Sequence, residues 1–147
     1  MRLTADVLAV QAGPLQLKTD DDQYWKVVRL EAKMRWLGYE TSYEPDLNYM
    51  GSKVYGLTNT NDHHIYVEGN LHWNDRYAVL AHEAGHVLQP GYLDRSEADI
   101  FAETVSVLVA GNYRESARWL ATSRGTYLFT TLGEWRLEYA AAEFLLE

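Results

Sequence analysis

Residues 82–86 read His-Glu-Ala-Gly-His, and no other stretch restricts the fold of this chain so tightly. Two imidazoles four residues apart lie on one face of an α-helix, where they can share a metal ion. The glutamate between them, Glu83, is then placed to act as a base. The flanks agree with a helix. Asn74-Asp75-Arg76-Tyr77 opens with cap-type residues, and Pro90-Gly91 stops the stretch after Gln89. That length is about four turns. At about 100° per residue, His82, Glu83 and His86 share one quadrant, while Tyr77, Leu80, Ala84, Val87 and Leu88 gather opposite. The expectation is a helix with one polar, chemically equipped face and one packing face.

Composition narrows what such a helix can serve. Cysteine is absent from all 147 residues, so disulfides and thiolate ligands are excluded and only histidines and carboxylates remain to bind a metal. The same absence fits a cytoplasmic protein. A net charge of −8 argues against direct, sequence-independent nucleic-acid binding, which neutralises phosphates with Lys and Arg. Arg114, Arg118 and Arg124 form a local basic group that reads as a solvated helix face balanced by Glu115. No apolar run is long enough for a membrane span, and no basic start and apolar core mark a signal peptide. The length suits one domain, expected over 1–147.

Periodicity places the other elements. Residues 6–12 form a short helix or strand broken by Gly13-Pro14. Thr19 and the three aspartates after it open a helix whose apolar stripe is Tyr24, Val27, Val28, Leu30, Met34 and Leu37, with Gly38 as its stop. Trp25 and Trp36 read as core or rim packing. A strand over Tyr39–Tyr43 follows, then a hairpin of Lys53–Thr58 and His63–Glu68 joined by Asn59-Thr60-Asn61-Asp62. In its second strand Ile65 and Val67 face one way, His64, Tyr66 and Glu68 the other. Asp94 caps a helix running to Ala110, with Glu97 as a capping residue. Further helices are expected over Tyr113–Thr122 and Leu132–Leu146, the last with apolar spacing at Trp135, Leu137, Tyr139 and Phe144 mixed with several alanines.

A catalytic zinc site needs a third protein ligand besides two histidines. A further His six residues after His86 would mark a metzincin, but that position is Tyr92. The acids of the next helix are the candidates. Antiparallel packing across the 90–95 turn brings the level of Asp99, or slightly beyond, opposite the histidines. Asp99 and Glu103 share a side with Ala102, Ser106 and Ala110, whose small side chains permit close approach; Glu97 points about 160° away from Asp99. Asp99 is the favoured third ligand. Glu103 is either the group that orients an imidazole from behind or the rival ligand. His63, His64, Tyr66 and His72 lie upstream and could border the site, with no specific role assigned to any.

Arg76–Ala81 leading into His82–His86, followed by Glu97-Ala98-Asp99-Ile100-Phe101-Ala102, resembles the ImmA/IrrE-type metallopeptidases. Asp99–Val109, with Ser116–Trp119 beyond, is also similar to the C-terminal zinc domain of ArdC-type antirestriction proteins. The resemblance covers roughly residues 50–125 and implies an α+β, compact zincin-like domain of minimal gluzincin type. Such a domain has a small antiparallel sheet, then the HExxH helix, then a C-terminal helical layer. It also implies His82 and His86 as Zn2+ ligands, Glu83 as general base and an acid of the second helix as third ligand. The expected activity is zinc-dependent hydrolysis of a peptide bond in a protein or peptide substrate, such as a phage or mobile-element regulator. Two alternatives stand beside it: a catalytically silent zinc-binding interaction protein, and a hydrolase of a nonpeptide amide.

Overall fold

The computed structural model describes residues 20–110 and 136–147, with side chains from residue 23 onward. The elements expected over 6–12 and 113–122, the arginine group at 114, 118 and 124, and the start of the last helix lie outside the described residues. The architecture is α+β. Its elements run α1 (Asp20–Trp36), β1 (Glu40–Glu44), β2 (Asn48–Tyr49), β3 (Ser52–Lys53), β4 (Gly56–Asn59), β5 (His64–Glu68), α2 (Trp73–Leu88), α3 (Arg95–Ala110) and α4 (Arg136–Leu146).

Helix α1 ends as its sequence requires. Gly38 sits at φ +91°, and the N–H groups of Gly38 and Tyr39 bond back to Arg35 and Met34 in a Schellman arrangement. Val27, Leu30 and Met34 are buried, but Tyr24, Trp25 and Trp36 are exposed. These rings lie along the rim. Tyr24 meets Trp25 and Trp73 edge-on, and Trp36 leans on Phe144.

The expected antiparallel sheet is corrected to a mixed one of order β1-β5-β4. The β4–β5 hairpin forms with Asn59 opposite His64, but β5 returns beside β1 in parallel, Glu40 opposite His64. The expected strand over 53–58 is also divided. Lys53 pairs with Asn48 in a small separate hairpin, whereas Gly56–Asn59 pairs with β5. Met50 and Gly51, both at positive φ, form the tight turn of that small hairpin. Alternation along β5 breaks at its last residue. Glu68 is buried and accepts hydrogen bonds from the N–H groups of Asp46, Leu47 and Asn70 and from Lys53 Nζ. Burial works against its charge, yet Lys53 and the three N–H groups hold its carboxyl below the usual range. Glu68 therefore ties the small hairpin to the end of the main sheet.

Helix α2 is capped differently from expectation. His72 is the N-cap and makes no side-chain cap bond. The entry is fixed instead by Arg76, which stacks between Tyr43 and Trp73 and donates to the carbonyls of Gly69 and Leu71. Every residue from Tyr77 to Gly85 is buried, so the expected polar face does not meet solvent. The reason is its central position: α1, α3, α4, β4 and β5 all pack against it. In helix α4 the alanines carry the packing. Leu137 and Tyr139 are exposed, and the buried stripe is Glu138, Ala141, Ala142 and Leu145. That set keeps helical spacing, and its two alanines let α4 lie close on α3.

One carboxylate in α2 stands at a cost. Asp75, partly buried with Oδ1 making no hydrogen bond, has its pKa raised to about 6 by burial, against a lowering pull from His72. The folded state thus holds a proton that the unfolded state loses between about pH 4 and 6, so stability falls as pH rises through that window. Asp75→Asn is expected to be more stable than wild type above pH 6 by about 1 kcal/mol, after discounting the shift for solvent screening. Denaturant unfolding at pH 7 and pH 4 checks this, with the difference shrinking toward zero at the lower pH.

Candidate metal centre

Helices α2 and α3 run side by side in opposite directions. Ser106 Oγ donates to the carbonyl of Ala78, Glu103 meets His82, a Cβ on Gly85 would lie 2.8 Å from Ala102 Cα, and Asp99 meets His86. The approach at Gly85 is so close that backbone, rather than a flexible side chain, would block any larger residue. The turn between the helices is closed by a capping box: Asp94 accepts from the Glu97 N–H, and Glu97 accepts from the Asp94 N–H. Glu97 is therefore the capping residue that its position suggests.

This packing gathers His82, His86 and Asp99, each offering one ligand atom, all within 4.8 Å of one another. The group could hold a metal ion. His82 is completely buried and Asp99 nearly so. His86 Nε2 lies 3.3 Å from Asp99 Oδ1 and makes no hydrogen bond. Each imidazole is held from its other nitrogen. Glu103 Oε1 lies 3.3 Å from His82 Nδ1, and Gln89 Oε1 lies 2.8 Å from His86 Nδ1. A neutral imidazole that donates from Nδ1 to such an oxygen keeps its lone pair on Nε2. Of the acidic pair, Asp99 stands in the cluster and Glu103 lies against the far nitrogen of His82. Gln89 is a partner of His86 that the motif alone does not suggest, although its i+3 spacing would place it there. Burial disfavours a charged His86, but Asp99, Glu83 and Gln89 outweigh it and raise the imidazole's pKa above the usual value.

Glu83 lies beneath β4. Thr58 Oγ1 donates to its Oε1 at 2.6 Å and also meets its backbone carbonyl at 3.2 Å. Across the strand, a Cβ built on Gly56 would come within 2.5 Å of Glu83 Oε2 and 2.7 Å of Val79 Cγ1. A glycine at 56 is what leaves room for this carboxylate. Neither residue carries a sequence signal for that role, because the contact depends on how the sheet lies over α2.

A cleft of about 220 Å³ opens beside the cluster. Thr58 and Thr60 line it from β4 and the following turn, His86 and Gln89 from the end of α2. Leu93, Asp94, Arg95, Ala98 and Asp99 line it from the connection into α3 and its first turns. The upstream candidates lie elsewhere. His64 bonds Ser42 Oγ and stacks on Tyr66, His63 stacks on Tyr39, and His72 caps α2. None of them lines this cleft.

Among the described residues no helix is long and apolar enough to cross a membrane. No family model matches the chain, and neither a curated protein nor a solved structure is significantly similar to it.

Proposed function

We propose that this chain is a zinc-dependent peptidase of compact zincin type, acting on a protein or peptide substrate in the cytoplasm, in keeping with its sequence resemblance to ImmA/IrrE-type metallopeptidases. The observation that carries the reading is the buried His82, His86 and Asp99 group beside a cleft, with Glu83 on the same helix. Two imidazoles and one carboxylate make the nitrogen and oxygen donor set that catalytic zinc takes, with a fourth position left for water or substrate. His82 and His86 would ligate through Nε2, since Glu103 and Gln89 hold the two Nδ1 atoms. Zinc supplies Lewis acidity and a lowered water pKa in such a site. Glu83 accepts the proton of the attacking water and returns it to the leaving amine. Thr58 fixes the carboxylate by occupying Oε1.

Access to substrate is supported by the sheet. β4 is an edge strand in the order β1-β5-β4, and its Thr58 lines the cleft. An extended peptide can add to such an edge through main-chain hydrogen bonds. One observation favours a second reading, a catalytically silent zinc-binding interaction protein: Glu83 is completely buried.

The test is metal-dependent cleavage. Protein stripped with a chelator and reconstituted with one equivalent of zinc is incubated with a denatured protein mixture, and new peptide termini are read by mass spectrometry. New termini are expected only in the reconstituted sample. A chain that binds zinc stoichiometrically yet produces none would be the silent binder instead.

A further inference from the structure

We infer that the cleft selects a substrate carrying a carboxylate near the bond acted on, and that Arg95 recognises it; this deepens the peptidase reading and rests on it. Arg95 is the first residue of α3, exposed, and lines the same cleft as His86 and Asp99. Apart from the histidine, the other lining groups carry no cationic side chain: Thr58, Thr60 and Gln89 are neutral and Leu93 and Ala98 are apolar. Each of the cleft's two acids has a neighbour of its own. Asp94 accepts the Glu97 N–H at 2.8 Å, and Asp99 stands 3.3 Å from His86.

Arg95 itself makes no ion pair within 4.0 Å of any described carboxylate. Its planar fork of N–H donors suits a bidentate carboxylate. The partial positive charge at the start of α3 adds to that preference. The chain as a whole carries −8, so its overall field repels an anion and the attraction is local to this cleft. A local charge in that setting favours one class of substrate over another. An aspartate or glutamate side chain and a free C-terminal carboxylate share the required chemistry.

The experiment uses the zinc-loaded Glu83→Gln protein, so that bound peptides stay uncut, and three fluorescent peptide pools. One pool holds an internal acidic residue with an amidated C-terminus, one a free C-terminus without acids, and one neither carboxylate. Fluorescence anisotropy is expected to show at least one carboxylate pool binding about tenfold tighter than the pool lacking both. Which pool gains tells the side chain from the terminus. Adding Arg95→Glu is expected to erase the preference, and adding Arg95→Lys to keep part of it. A glutamate in the first turn of α3 suits the helix dipole, so the fold should hold, with zinc content as the check. Equal binding of all pools, or an undiminished preference in Arg95→Glu, overturns the inference. Wild type that cuts peptides without charge preference leaves the peptidase reading intact while this one fails. A preference dependent on Arg95 in a protein that cuts nothing does the reverse.

Discussion

Glu83→Gln is expected to bind zinc as wild type does and to lose hydrolysis by about 10²- to 10⁴-fold, the usual worth of a positioned general acid–base. The two side chains are isosteric, and a glutamine can still accept from Thr58 Oγ1 through its own Oε1, where Glu83 now accepts at 2.6 Å. The close fit against Gly56 is likewise kept. What disappears is the basic oxygen, so the loss falls on kcat and kcat/KM together, with KM little changed. The measurement pairs metal content with turnover of whichever peptide the wild type cleaves. A variant within tenfold of wild type would remove Glu83 from the chemistry, whatever the metal does.

The second large effect concerns the metal itself. Asp99→Ala is expected to lose zinc during dialysis against a weak chelator, whereas Glu103→Gln keeps about one equivalent with affinity reduced roughly 10- to 100-fold. The difference follows from position. Asp99 stands in the cluster with both histidines, while Glu103 meets the outer nitrogen of His82. Losing one of three ligands also leaves two imidazoles and the nearby carboxylates of Glu83 and Glu103 without a shared cation. Added zinc should raise the wild-type unfolding midpoint by ~10 °C at a thousandfold excess over Kd, from about 4 kcal/mol of linkage, and should leave Asp99→Ala nearly unmoved. The reverse pattern, with Asp99→Ala retaining zinc and Glu103→Gln losing it, would pass the ligand role to Glu103.

Both predictions rely on a site that is partly legible in the sequence. The 82–86 spacing and its flanks require a helix, and α2 spans Trp73–Leu88. The small residues at 102 and 106 mark the face of α3 that meets α2, and Gly85 and Ser106 make that contact. Asp94 and Glu97 read as a helix start and form a capping box. Each of these features repeats within a turn or two of helix, where side-chain direction follows from residue spacing.

Other features do not follow from spacing. Residue pattern gives helix α2 a polar face, but the sheet and three helices enclose it. The last helix buries Ala141 and Ala142 rather than Leu137 and Tyr139, because close approach to α3 outweighs side-chain hydropathy there. Hydropathy ranks side chains singly, whereas burial is settled by which neighbouring element arrives and how near.

The sequence alone determined the helix that bears His82, Glu83 and His86, the cap that begins its partner, and the acidic pair able to complete the group. The tertiary structure decided where each acid lies, with Asp99 against His86 and Glu103 behind His82. It also decided that β5 runs parallel to β1, which leaves β4 at the edge over α2, with Gly56 and Thr58 on Glu83. The division has one physical cause. Helical spacing is fixed by hydrogen bonds within a few residues, but register between helices and strand order are fixed only when distant segments pack.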